Sequence, residues 1–148
     1  MNAVRTILVP IDFSSHSTRA LETAVGLAKT FGAQIHLLHC YSLNLGTVSS
    51  YSLAVPENFD RDVRLSAQAK LDASAEKVQA DGIEVSSDVT QRFPGEAISS
   101  IAEDIGADLI VMGTRGLTGL KHVLLGSIAE RTIRIAPCPV LTVKASRE

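Results

Sequence analysis

A doubly wound α/β fold, with a five-stranded parallel sheet in the order 3-2-1-4-5, is what the sequence predicts, and three observations lead to it. Short runs rich in Val, Ile and Leu alternate with longer segments of helical period along the chain. The long helical segments end in a glycine, at Gly32, Gly82 and Gly106, and a strand-like run follows quickly each time. Two runs, Ile7 to Val9 and Leu109 to Met112, are continuously apolar, as strands buried on both faces are. With 148 residues, 45% of them hydrophobic and 20% charged, the chain reads as one globular domain, 1–148. That length buries about two thirds of the surface an unfolded chain exposes.

The elements follow in order. Strand one is Arg5 to Ile11, and the small polar residues of Asp12 to Ser17 after it are typical helix caps. A helix carrying Leu21, Ala24, Val25, Ala28 and Phe31 at helical spacing comes next. Gly32 sits where a left-handed residue would end it. Strand two is Gln34 to Cys40. The Ser-rich stretch from Tyr41 to Pro56 shows neither period and reads as a loop. A second helix from about Glu57 to Asp81 carries Phe59, Val63, Leu71, Ala75 and Val78. The alternating strand Ile83 to Val89, a third helix from about Gly95 with Ile98, Ile101, Ala102 and Ile105 on one face, and strand four, Asp108 to Met112, follow. A glycine-rich segment, a short helix from Ser127 to Ala136 and strand five, Pro139 to Val143, complete the chain.

The strand order comes from the same patterns. The continuously apolar strands one and four belong in the centre, the alternating strand three at an edge, and Pro139 is tolerated at the other edge. Strands one and four are then neighbours where the winding reverses, and ligands of such sheets bind beyond the carboxyl ends of the strands at that point. Asp12 and the segment from Gly113 onward are therefore the residues that should face a ligand.

Composition narrows the choice. A net charge of −2 and a pI near 6.1, with scattered Lys and Arg, offer nucleic acid no broad attraction. No apolar run approaches the roughly 20 residues of a spanning helix, and Met1 to Arg5 lead straight into a strand, so neither membrane nor export is expected and the cytoplasm is. Cys40 and Cys138 lack metal or CxxC spacing and read as free thiols. The chain has no GxxxxGK[ST] loop, no GxGxxG after strand one and no GxSxG elbow, so common kinase and hydrolase machinery is missing.

Three of the glycines between strand four and the last helix stand in a spaced pattern, in Gly113-Thr-Arg-Gly116 and, after nine intervening residues, Gly126-Ser127. Glycine lets phosphate oxygens approach backbone amides without a Cβ in the way. Ser127-Ile-Ala-Glu130 also reads as a capping box, which puts a helix N-terminus and its anion-favouring dipole at Ser127. Arg115 and Lys121 are candidates to add charge. The spacing Gly113-x2-Gly116-x9-Gly126-Ser127 resembles the ATP-binding motif of the universal stress protein family. Ile7 to Ser14, Ala107 to Gly116 and Ala136 to Val143 are similar to that family too, so that the likeness spans nearly the whole chain.

The resemblance implies an adenine nucleotide alpha hydrolase-like, Rossmann-like fold and binding of ATP, or of AMP or ADP, with Mg²⁺ admitted beside ATP. It implies that Pro10, Ile11 and Asp12 border base and ribose, that the Cys40 backbone receives the adenine edge and that Met112 lines the pocket. Gly113, Arg115 and Gly116 would face ribose and phosphates, with Gly126, Ser127 and the Ile128 amide around the phosphate end. It also implies a homodimer through Pro139 to Val143, whose edge needs cover.

Blander roles stand beside these. Asp12 at a strand-to-helix turn is also a common turn former, and Cys40 a small hydrophobe at a strand end. His36 and His39 fall on opposite strand faces and form no local metal pair, while His16 and His122 are solitary. With Asp12 the one obvious acid at the crevice, a binding protein is expected in place of an enzyme, slow ATP turnover aside. Two alternatives are a dimeric interaction module that binds no nucleotide and a phosphoreceiver-like domain. The second lacks an acceptor aspartate after strand three, where Thr90, Gln91 and Arg92 stand.

Overall fold

The computed structural model describes residues 2–42, 58–115 and 125–145. Five parallel strands, β1 (Thr6–Pro10), β2 (Gln34–Cys40), β3 (Val85–Thr90), β4 (Leu109–Gly113) and β5 (Val140–Val143), pair in the order β3-β2-β1-β4-β5. Helices α1 (Ser15–Phe31), α2 (Phe59–Ala80), α3 (Pro94–Asp104) and α4 (Ser127–Ile135) connect them. The order and all nine elements match the sequence expectation. β3 begins two residues later than the apolar pattern suggests: its pairing with β2 starts at Ile35↔Val85, with Ile83 buried ahead of it. The expected loop falls mostly on residues 43–57, outside the described ones.

Period-two alternation sends each central strand into both layers. Ile7, Val9, Leu37 and Val111 face α1 and α2, while Leu8, Leu38, Ile110 and Met112 face α3 and α4. α1 reaches the sheet with the small side chains of Ser17, Ala20, Ala24 and Ala28, one per turn, all buried. Phe31 is half exposed, against expectation, because Ala28 and Ala33 complete the stripe and leave the aromatic outside it. Gly32, at φ 67°, ends the helix in the left-handed conformation that a Cβ disfavours. Edge strand β3 alternates as a one-sided strand should, and its outer face holds a polar pin. The buried His36 ring on β2 has Nδ1 2.7 Å from Ser86 Oγ. Its Nε2 lies 3.0 Å from Asp88 Oδ2. The Pro139 carbonyl accepts from Ile110 N just ahead of β5, so the missing proline N–H costs no ladder bond.

Candidate functional site

The carboxyl ends of β1 and β4 lie side by side, as the register Ile7↔Leu109 and Leu8↔Ile110 requires. On the β1 side, Ile11 N donates to Leu38 O at 2.8 Å. The Ile11 carbonyl lies 2.6 Å from His39 Nδ1. A carbonyl only accepts, so Nδ1 carries the proton and the ring is locked to the end of β1. Asp12 then folds the chain into a tight turn: its Oδ1 accepts from Ser14 N at 2.9 Å and from Ser14 Oγ at 2.5 Å. Ser14 in turn caps α1, its Oγ accepting from Ser17 N. The turn-forming role of Asp12 is therefore real, and Oδ1 alone carries it.

On the β4 side, Gly113 is set by packing. A Cβ there would come within 2.8 Å of His16 Cβ and 2.9 Å of the His16 carbonyl carbon, so glycine is what lets α1 cross the strand end. Thr114 N donates to Val143 O, and Gly126 N donates to Thr114 O at 2.6 Å, which closes the base of the segment between them. Thr114 Oγ1 and His16 Nδ1 are buried without a hydrogen-bond partner on either side of Gly113. The sequence points to neither: His16 reads there as a solitary histidine, and Thr114 carries no assigned role. Arg115 is half-buried beside them. Gly116, Lys121 and His122 lie outside the described residues.

The start of α4 corrects one expectation. The cap is Gly126, at φ −72°, with no side-chain cap, and Ser127 is already the first helical residue. Glu130 turns away to Arg134, at 2.8 Å, so Ser127 and Glu130 form no capping box. The reason is position: Gly126 O already accepts from Glu130 N, and a serine one residue inside the helix has lost the extended conformation from which a cap reaches back. The leading amides of α4, those of Ser127 and Ile128 among them, have no partner inside the helix, and Gly126 offers no side-chain cap; both side chains are exposed. Such an end favours an anion.

Between the two sides, Met112 is buried and shares a cluster with the partly buried Cys40 at the end of β2. Burial pushes the Cys40 thiol up to about 11, with Arg92 pulling weakly the other way, so it is a protonated, inert group at neutral pH. Burial likewise raises the Cys138 thiol, with Asp108 adding to the effect. The structure thus brings Pro10, Ile11, Asp12, Cys40, Met112, Gly113 and Arg115 to one end of the sheet. Gly126 is tied to the same place by its bond to Thr114, and Ser127 and Ile128 follow it. Among the described residues no group of His, Cys, Asp or Glu could hold a metal ion, and no helix is long and apolar enough to cross a membrane.

Comparison with known proteins agrees with this geometry. The universal stress protein family model matches residues 3–144. A universal stress protein of Methanocaldococcus jannaschii, MJ0531, is 34% identical over 99% of this chain and 86% of its own length. The solved structure of MJ0577, from the same organism, superposes with a TM-score of 0.86 at 29% identity, over 99% of both chains. A universal stress protein in complex with cAMP matches at 24% identity and a TM-score of 0.71, over 98% of this chain and 100% of the other, and shares the fold. By family model, sequence identity and fold alike, this chain belongs to the universal stress protein family.

Proposed function

We propose that the chain is a stress-response or signalling protein that binds an adenine nucleotide, ATP by preference, in the crevice after β1 and β4. One observation carries the reading: at Gly113 two buried polar atoms, His16 Nδ1 and Thr114 Oγ1, lack partners, and the helix joined to that point begins with uncapped amides. Buried polar groups are nearly always paired, so an unpaired couple beside an anion-favouring helix end supports a polar, anionic occupant. Ribose hydroxyls and phosphates are that chemistry. The complex of a fold relative with cAMP belongs to the same ligand class, although likeness at that identity extends to the fold alone.

Binding without ordinary turnover is the reading that the carboxylates at the crevice support. Asp12 spends Oδ1 on the Ser14 turn, and hydrolysis would need a metal-holding acid and a placed water besides. The protein acts in the cytoplasm in this reading. It is a homodimer through β5, on which the exposed Leu141 supplies apolar surface. Occupancy by ATP or AMP would bias the dimer.

The test is calorimetric titration of nucleotide-stripped protein with ATP and Mg²⁺, beside a folded Gly116→Val variant. Micromolar affinity, about −8 kcal/mol, is expected for the wild type alone. Absence of binding to the wild type would leave the dimeric interaction module as the reading.

A further inference from the structure

The β1–α1 turn borders a second concavity, on the α2 side of the sheet and lined by none of the residues assigned to the nucleotide crevice. It is a cleft of about 400 Å³, in the size range of small-molecule pockets. Phe13 and His39 form one wall with ring centroids 4.7 Å apart and planes tilted by 44°, and Val63 and Ala67 of α2 form another. Phe13 pays for its position with φ 64°, the one positive φ among the described non-glycine residues. That conformation is costly for a bulky side chain and persists only where surrounding bonds impose it, here the Asp12–Ser14 turn on one side and the His39 lock on the other. Lys70 Nζ stands 5.6 Å from the Phe13 ring centroid, and its ammonium has no carboxylate partner among the described residues. Asp62, the acid on the same rim, stands about 12 Å of helical rise earlier on α2 and forms no ion pair with Lys70.

We propose that this cleft is a second ligand site, which takes a small flat aromatic molecule carrying one anionic group. The ring system lies against Phe13, His39 and Val63, and the anion meets Lys70. Rings favour offset or tilted partners at such spacings, and an ammonium already over a ring is placed to pair with an anion attached to the ring stacked there. The proposal is independent of nucleotide binding, so either can fail alone.

The full chain is titrated, with ATP and Mg²⁺ present throughout, with two fluorescent probes: 8-anilinonaphthalene-1-sulfonate and its uncharged counterpart N-phenyl-1-naphthylamine. Each should saturate one site per chain. Val63→Trp, which fills the cleft, should abolish both. Lys70→Gln, a change on an exposed helix surface, should weaken the sulfonate about fivefold and leave the neutral probe unchanged. Wild-type protein that binds neither probe, a folded Val63→Trp that binds both, or a Lys70→Gln that treats the two probes alike would each overturn the proposal. If Val63→Trp does not fold, the Lys70→Gln comparison decides alone.

Discussion

Thr114 holds its hydroxyl buried and unpaired, a state that costs about 1–3 kcal/mol. Replacing it by the near-isosteric valine removes the cost, so Thr114→Val should denature at an equal or higher urea concentration while its ATP affinity falls at least fivefold. A loss of stability in urea melts, with affinity unchanged, would show that the hydroxyl serves the fold and no ligand. Gly113→Ala works in the opposite sense. Its Cβ meets the His16 backbone, which has no soft end to yield, and the variant should lose about 1–3 kcal/mol in the same melts. Cys40 gives a pH prediction. Its thiol keeps its proton to about 11 in the folded protein against 9.0 in an ordinary thiol, so burial stabilises the fold fully below pH 9 and this contribution fades as pH rises from 9 toward 11. Reaction with a disulfide reagent should be slow at pH 7 to 8 in the native protein and fast after unfolding. A rapid native reaction at that pH would contradict the assignment of Cys40 as inert.

Among the elements, α1 depends on its first turn and α4 on the lack of one. Ser14 links cap and turn: it accepts from Ser17 N and donates to Asp12. Ser14→Ala should cost about 1 kcal/mol of stability. It should also loosen Asp12, so that nucleotide affinity falls along with the melting temperature, whereas Ser14→Asp restores the cap and the stability alone. At α4 the short motif Ser-x-x-Glu misled, because a capping box is recognised by spacing and the neighbouring Gly126 has the same right to the cap position. What decides is whether the chain arrives extended at 126 or at 127. The bond from Gly126 N to Thr114 O settles it, a contact between residues separated by the whole glycine segment.

For the whole molecule, the exposed edge at β5 is the feature with consequences in solution. Leu141→Lys should shift a dimer to a monomer in light-scattering chromatography without altering the circular dichroism spectrum. A wild type that is monomeric at all concentrations would remove the dimer from the functional reading.

The strand order, both layers of the core and the adjacency of the carboxyl ends of β1 and β4 were legible in the sequence by itself. Burial on both faces demands continuously apolar strands, a parallel sheet demands crossovers, and the two most apolar strands then have one place to go. The glycine spacing likewise pointed to the end of β4 because it is local. Only the tertiary structure decided why Gly113 is glycine, that His16 and Thr114 are orphaned beside it, that His39 locks Ile11, and that Phe13 and Lys70 frame a second cleft. Each of these is a contact between residues far apart in the chain. Local propensity and periodicity describe how a segment folds along its own axis, and they carry no information about which atom of another element will stand opposite it.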